Sequence, residues 1–172
     1  METPVKKLVR IIKQQLKTPE TPFDIAHEDQ TFQTLYEKCK PFSMTSIERM
    51  YALYKGIEYV VKNNIPGDIV ECGVWKGGSS MMMACALIHF GDTHRTIYLY
   101  DTYTGMTEPT KEDTRHSKDQ WTATQKWKQL ETTDHNEWCY APIEEVQKNL
   151  GTTGYPEKSV VFVKGKVEDT LP

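Results

Sequence analysis

The feature that most constrains the fold is the stretch from residue 68 to residue 101, where the hydrophobic pattern changes abruptly. The β-branched run Asp68-Ile69-Val70-Glu71-Cys72-Gly73-Val74 predicts a short buried strand. Gly77-Gly78-Ser79-Ser80 then opens a nearly all-apolar helix from Met81 to Phe90, and residues 96–101 are a second apolar strand. Strand, glycine turn, helix and strand form a βαβ unit. Such apolar runs are typical of parallel strands that helices cover on both faces.

Flanking segments extend this unit into an α/β domain. Apolar residues at helical spacing from Ile47 to Val61 predict a helix, and the order Thr45-Ser46-Ile47-Glu48 predicts a capping box at its start. A further helix is predicted over residues 141–150, and residues 159–163 predict a third strand. We divide the chain into an N-terminal helical segment, residues 1–42, and a domain, residues 43–172.

Two other segments are distinctive. Residues 5–17 predict a cationic amphipathic helix, which we expect to pack on the domain or on a second subunit, so that a homodimer is one assembly it allows. Residues 103–120 are polar and interrupted by Gly and Pro, which predicts a surface loop after the second strand.

Composition excludes several classes of protein. Lys and Arg number 21 against 24 Asp and Glu, for a net charge of −3, so no domain-wide basic field attracts nucleic acid or an anionic membrane. No apolar run approaches the roughly 20 residues of a membrane helix. The 4 Cys and 5 His residues form no zinc-binding pattern. We therefore expect a cytoplasmic protein with reduced thiols and no metal site in this chain.

Acidic residues lie at two predicted strand ends, where ligands bind in doubly wound sheets. Glu71 interrupts an apolar strand. Burial of a carboxylate costs free energy unless hydrogen-bond donors or a cation contact it. Asp101 ends the next strand, where a carboxylate is a typical partner of ribose hydroxyls. Gly73 allows close approach to the backbone, and Gly77-Gly78-Ser79 offers amide donors at a helix start. The pattern favours an adenosine-type ligand with a positively charged tail.

Two phosphate-binding patterns are absent from this turn. Trp75 stands where Gly-x-Gly-x-x-Gly requires its second glycine, and no Gly-x-x-x-x-Gly-Lys-[Ser/Thr] order occurs. An NAD-dependent oxidoreductase is therefore disfavoured. An interpretation without a ligand stays open, in which Asp101 caps the next turn and Glu71 pairs with a lysine.

Four ordered blocks carry a resemblance to a known family. They are Met44-Thr45-Ser46-x-Glu48-Arg49, Val70-Glu71-Cys72-Gly73-Val74-Trp75-Lys76-Gly77-Gly78-Ser79, Tyr98-Leu99-Tyr100-Asp101-Thr102-Tyr103-x-Gly105-Met106 and Gly165-x-Val167-Glu168-Asp169-Thr170-Leu171-Pro172. Together they resemble the macrocin O-methyltransferase family, whose members methylate sugar hydroxyls of macrolide and aminocoumarin antibiotics. The resemblance covers residues 42–172.

The resemblance implies a class I methyltransferase with a Rossmann-like, doubly wound parallel sheet, and S-adenosyl-L-methionine as cofactor. The cofactor-binding residues that it implies are Thr45, Glu71, Gly73, Val74, Gly77, Ser79, Asp101, Thr102, Val167 and Glu168. Among these, Asp101 would hold the ribose hydroxyls, Val167-Glu168 would lie beside the adenine, and Thr45 would close over the methionine end. Trp75 and either Tyr100 or Tyr103 would face the cationic sulfonium.

The implied reaction is displacement at the methyl carbon by a hydroxyl of a small-molecule acceptor. A neutral sugar hydroxyl is a poor nucleophile, so a base or a divalent cation must assist it. The family implies magnesium, with ligands beyond residue 172, and we assign no catalytic residue here. We expect a sheet truncated after the third strand, with an exposed apolar edge. The chain is either the cofactor-binding part of an O-methyltransferase for a sugar-bearing natural product or similar small molecule, or an inactive cofactor-binding or partner subunit.

Overall fold

A parallel three-stranded sheet in the order β1-β2-β3 organises the chain. The computed structural model describes residues 29–113 and 122–171, and the strands are β1 (Ile69–Cys72), β2 (Ile97–Asp101) and β3 (Val160–Lys164). Ile69 pairs with Ile97, which pairs with Val160. This register brings the carboxyl ends of all three strands to one edge of the sheet.

The described residues form six α-helices in addition to the sheet. They are α1 (Gln30–Cys39), α2 (Ile47–Lys62), α3 (Gly78–Phe90), α4 (Ala123–Gln129), α5 (Ile143–Gly151) and α6 (Val167–Thr170). The βαβ unit is confirmed, because α3 connects the parallel strands β1 and β2. Within residues 29–113 and 122–171, no helix combines the length and apolar character needed to cross a membrane.

Helix α3 is the centre of the hydrophobic core. Every residue from Ser80 to Leu87 is buried, as expected for a helix that is apolar all round. It packs against β2 on one side and against α1, α2 and α5 on others. Gly91, in the left-handed conformation at φ 79°, ends the helix as predicted.

Within the described residues, one end of the sheet is less covered on the face that points away from α3. Ile97 and Leu99 are fully buried on the face toward α3, but Val70, which alternation places on the other face, is 54% exposed. Strand β1 is an edge strand, because among the described strands it pairs only with β2. Among the described residues, β1 thus has one unpaired side, and no described helix covers Val70.

The N-terminal part of the described chain joins the same core. Phe32 of α1 is fully buried and contacts the rings of Tyr51 and Tyr54 on α2. The amphipathic helix predicted over residues 5–17 lies outside the described residues, as does part of the loop predicted over residues 103–120. The division of the chain at residue 42 stays a prediction.

Candidate functional site

A cleft of about 560 Å³ opens at the carboxyl ends of the three strands. Most of its lining comes from the end of β2 and from the segments that follow the three strands, and Met44 adds to it from the turn before α2. The lining residues are Met44, Gly73, Trp75, Tyr100, Asp101, Thr102, Gly105, Met106, Thr107, Glu108, Thr110, Cys139, Gly165, Lys166, Val167 and Glu168. This is where a doubly wound sheet places its ligands.

Asp101 joins the ends of all three strands. Its Oδ2 atom accepts hydrogen bonds from the backbone amides of Val74 at 2.6 Å and Trp75 at 3.1 Å, in the turn after β1. Its Oδ1 atom accepts from the amide of Tyr103 at 2.9 Å. Its backbone carbonyl accepts from the amide of Gly165, after β3, at 3.0 Å. One residue thus positions the turns that line the cleft.

These bonds occupy most of the acceptor positions of the Asp101 carboxylate. A carboxylate has about four lone-pair positions, and three amides already use three of them. The fourth faces the hydroxyl of Thr102 at 3.5 Å, which is at the limit of a hydrogen bond. The carboxylate therefore caps the turns, as the ligand-free interpretation expected, and keeps one good acceptor position on Oδ1 for a ligand hydroxyl.

The turn after β1 requires unusual backbone conformations. Gly73 has φ 83°, and a Cβ atom added there would meet nothing within 4 Å, so the backbone is open to the cleft. Trp75 also has positive φ, at 48°, which non-glycine residues seldom adopt. The amides of Val74 and Trp75 on Asp101 compensate for this strain.

Glu71 lies beneath the turn and does not line the cleft. Its carboxyl group accepts a short hydrogen bond from the hydroxyl of Ser80, a fully buried residue of α3. Burial raises the pKa of Glu71 to about 7, the Ser80 hydrogen bond opposes this shift, and the charge of Asp101 adds to it. The donor that a buried carboxylate needs is therefore a serine, and the pairing of Glu71 with a lysine is wrong.

The start of α3 is packed against protein rather than open to the cleft. A Cβ atom on Gly77 would lie 3.1 Å from side-chain atoms of Val146 and Leu150, and one on Gly78 would lie 2.6 Å from the carbonyl of Phe42. Ser79 is half-buried, and its hydroxyl lies 4.0 Å from the sulfur of Met50. The structure does not bring these residues into the cleft lining.

The capping box predicted at residues 45–48 is wrong. The N-cap residue of α2 is Ser46 rather than Thr45, and it makes no side-chain capping bond. The hydroxyl of Thr45 instead contacts the hydroxyl of Ser43 at 2.9 Å. Met44, beside them, is 62% exposed and lines the cleft.

The other predicted site residues divide between the cleft and the core. Gly73, Asp101, Thr102, Val167 and Glu168 line the cleft. Val74 is buried in the core, and Thr45 is adjacent to the lining but outside it. Trp75 and Tyr100 line the cleft, whereas Tyr103 is buried and donates its hydroxyl proton to the Leu99 carbonyl. The binding roles of all these residues stay predictions.

The sequence predicted residues 103–120 as a surface loop, but it did not indicate that Cys139 joins residues 105–108 and Thr110 in one wall of the cleft. Only Gly105 gave a local signal, since its φ of 82° requires glycine. Cys139 reaches the cleft through long-range contacts: the amide of Asn136 bonds to the Thr104 carbonyl at 2.8 Å, and that of Met106 to the Trp138 carbonyl at 2.9 Å. Across the described ranges, no group of three His, Cys, Asp or Glu residues is arranged to hold a metal ion.

Comparison with known proteins agrees with this arrangement. The model of the macrocin-O-methyltransferase (TylF) family matches residues 7–172. One relative is the 8-demethyl-8-(2,3-dimethoxy-alpha-L-rhamnosyl)-tetracenomycin-C 4'-O-methyltransferase of Streptomyces olivaceus. The chain is 33% identical to it over 130 residues, and the match covers 76% of this chain and 46% of that protein. The chain is 26% identical over 132 residues to the mycinamicin III 3''-O-methyltransferase of Micromonospora griseorubida, covering 76% and 48% respectively.

A solved structure supports the same relationship. The O-methyltransferase NovP superposes with a TM-score of 0.59 at 28% identity, over 76% of this chain and 50% of that one. The chain thus spans about half the length of the relatives that it matches. Its parallel sheet and flanking helices have the fold of class I methyltransferases, and the family implies S-adenosylmethionine as the cofactor. The chain belongs to the macrocin-O-methyltransferase (TylF) family.

Proposed function

We propose that this chain binds S-adenosylmethionine in the cleft and forms the donor-binding part of an O-methyltransferase that acts on a hydroxyl of a sugar-bearing small molecule. The observation that carries the proposal is the position of Asp101. In a chain that matches the family over residues 7–172, this carboxylate lies at the floor of the cleft and joins the three strand ends.

The residues of the cleft fit the chemical groups of this cofactor. The remaining acceptor position on Asp101 Oδ1 suits a ribose hydroxyl, and the open backbone of Gly73 admits a ligand at close range. Val167 offers an apolar contact for the adenine. Trp75 and Tyr100 present aromatic rings, which attract cations. When bound, the cofactor supplies a methyl group activated by its positively charged sulfonium.

The Glu71 carboxyl group, below the turn after β1, would interact electrostatically with the positive charge of the bound cofactor. A nearby positive charge favours the ionised form of a carboxyl group, so a cationic ligand in the cleft would lower the pKa that burial has raised. Ser80 holds the Glu71 carboxyl group in place in either protonation state, because a hydroxyl can donate or accept a hydrogen bond.

The remaining features of the proposal rest on family resemblance and composition. Magnesium is proposed as the activator of the acceptor hydroxyl, and we assign it no ligand and no step in this chain. A cytoplasmic location is supported by the four free thiols. A homodimer is proposed only on the amphipathic pattern of residues 5–17, which the structure does not describe.

Titration calorimetry with S-adenosylhomocysteine, the demethylated product, tests the binding proposal. The parent chain is expected to bind one equivalent, and Asp101→Asn to bind about ten to a hundred times more weakly, since it loses a charge-assisted hydrogen bond of about 1.5–3 kcal/mol. Asp68→Asn is the matched control, because Asp68 caps the amide of Thr96 at the opposite end of the sheet. Equal affinity of the parent and Asp101→Asn would contradict the site.

A further inference from the structure

His135 occupies an unusual position between two carboxylates, close to the cleft. Its Nδ1 atom lies 2.9 Å from Oδ1 of Asp134, and its Nε2 atom lies 2.9 Å from Oε1 of Glu137. The ring also stacks on Tyr140 with 3.9 Å between centroids. A neutral imidazole has only one N–H, so only the imidazolium can donate to both carboxylates. The two hydrogen bonds from the ring to the carboxylates therefore form together only when both ring nitrogens carry protons.

The segment that carries His135, residues 131–139, contacts the loop after β2 and ends at a residue that lines the cleft. Next to it, Asn136 is 2% exposed and donates its backbone amide to the Thr104 carbonyl at 2.8 Å. The side-chain amide of Asn136 donates to the carbonyl of Trp127 on α4 at 2.8 Å, and its oxygen accepts from the amide of Trp138 at 3.0 Å. Cys139, which lines the cleft, follows Trp138 directly, so the position of this segment affects the cleft.

Residues 131–139 pack so closely against residues 104–106 that neither segment can move without displacing the other. The backbone oxygen of Asn136 comes so close to Gly105 that a Cβ atom there would lie 1.9 Å away. The Met106 amide also bonds to the Trp138 carbonyl at 2.9 Å. A displacement of residues 131–139 would therefore move Gly105 and Met106, which both line the cleft.

We propose that His135 is a positioning residue: its doubly protonated ring fixes the conformation of residues 131–139, from which Asn136 and Trp138 bond to Thr104 and Met106, so that the cleft binds its nucleoside ligand more weakly once rising pH removes the second proton. The ligand part of this inference rests on the function proposed above. His135 acts through the wall and does not itself line the cleft.

The direction of the pH effect follows from the groups around the ring. Hydrogen bonds to Glu137 and then Asp134 raise the pKa of His135 above its ordinary value. The stabilisation of the loop is thus fully present below about pH 6.5, the ordinary pKa of histidine, and is lost as pH rises through the raised pKa. The hydroxyl of Thr132 and the ring of Tyr140 also contact the imidazole, and Lys126 of α4 faces the same segment with its ammonium 4.4 Å from the ring centre of Trp138.

The effect is expected to be moderate because the two carboxylates face solvent. The side chains of Asp134 and Glu137 are 84% and 56% exposed, and exposed ion pairs contribute little individually. We expect the dissociation constant to rise about two- to tenfold between pH 6 and pH 9.

Calorimetry with S-adenosylhomocysteine from pH 6 to pH 9, at constant ionic strength, tests the inference. His135→Gln is expected to bind S-adenosylhomocysteine weakly even at pH 6. Its affinity should also change less between pH 6 and pH 9 than that of the parent. His94→Gln, at the opposite end of the sheet, removes an exposed histidine as the control and should follow the parent. Glu137→Gln should shift the decline in affinity to lower pH, and serves if His135→Gln does not fold. Equal pH profiles for the parent, His135→Gln and Glu137→Gln would overturn the inference.

Nuclear magnetic resonance separates this result from failure of the proposed function. In the ligand-free protein, the amide signals of Met106 and Cys139 should follow the titration of the His135 ring. If the parent binds no nucleoside at any pH but these signals follow His135, the proposed ligand is wrong and the positioning role holds. If the amide signals do not respond to His135, the positioning role is wrong whether or not the nucleoside binds.

Discussion

The Oδ2 atom of Asp101 lies 2.6 Å from the backbone nitrogen of Val74, so that a side chain at the end of β2 holds the turn that follows β1. This contact joins residues 27 positions apart and is one of three bonds from backbone amides to the same carboxylate. The cleft therefore has its floor built before any ligand enters, which reduces the ordering that binding requires.

Asp101→Asn is expected to lower the free energy of unfolding by about 1–3 kcal/mol, because asparagine keeps one acceptor oxygen and turns an NH₂ group toward backbone donors. Urea denaturation measures this change. Asp68 accepts a single capping bond, from the amide of Thr96, which the oxygen of asparagine can keep, so Asp68→Asn should cost less. If both variants lose the same stability, Asp101 does not hold the three turns together.

Gly105→Ala should destabilise the protein well beyond the usual effect of a positive φ. The added methyl group would overlap the Asn136 carbonyl oxygen, at 1.9 Å, in addition to the strain at φ 82°. Gly154→Ala is the matched control, since Gly154 has φ 81° and an added Cβ atom meets nothing within 4 Å. We expect Gly154→Ala to cost about 1–2 kcal/mol and Gly105→Ala about 1–3 kcal/mol more, by chemical denaturation. Equal losses would show that the close approach to Asn136 is absent in solution.

Asn149→Ala should weaken the attachment of α5 to the turn after β1, which lines the cleft. The side-chain amide of Asn149, which is 6% exposed, donates to the backbone carbonyl of Lys76 at 2.9 Å and so attaches α5 to the turn after β1. Loss of this buried hydrogen bond should cost about 1–3 kcal/mol of unfolding free energy and weaken nucleoside binding. Asn63→Ala removes a similar but exposed bond, to the carbonyl of Tyr59, and should change stability by less than about 0.5 kcal/mol without affecting binding.

Glu71 should make the stability of the ligand-free protein fall as pH rises. Burial raises the pKa of Glu71 from 4.5 to about 7, so between these values the folded state binds more protons than the unfolded state. The resulting loss amounts to about 3 kcal/mol between pH 4.5 and pH 8, at about 1.4 kcal/mol for each unit of pKa. Glu71→Gln keeps a partner for Ser80 without ionising.

The midpoint of thermal unfolding, measured from pH 5 to pH 8, checks this prediction. The parent should become less stable across the range, and Glu71→Gln should show a smaller decline and exceed the parent at pH 8. Glu145→Gln, at a half-exposed site beside Lys76, is a control for loss of an acidic residue elsewhere. Parallel curves for the parent and Glu71→Gln would show that Glu71 ionises freely in the folded protein.

Local patterns in the chain were sufficient to predict the elements of the fold. The all-apolar run from Met81 to Phe90 can be stable only inside a protein, and Gly91 adopts the left-handed conformation that ends such a helix. The strand before this helix and the strand after it are equally short and apolar, so the parallel βαβ arrangement followed from chain connectivity. Asp101 was placed correctly at the end of β2 for the same reason.

The tertiary structure alone decided what each polar group contacts. Sequence shows that Glu71 is acidic and follows an apolar residue, but only the packing of α3 on the sheet reveals Ser80 as its partner. Whether the hydroxyl of Thr45 would cap α2 or contact Ser43 depended on the path of the preceding turn. Hydrophobic periodicity is a property of neighbouring residues and determines which elements form. The wall that joins Gly105 to Asn136 depends on contacts between distant segments, which no local pattern encodes.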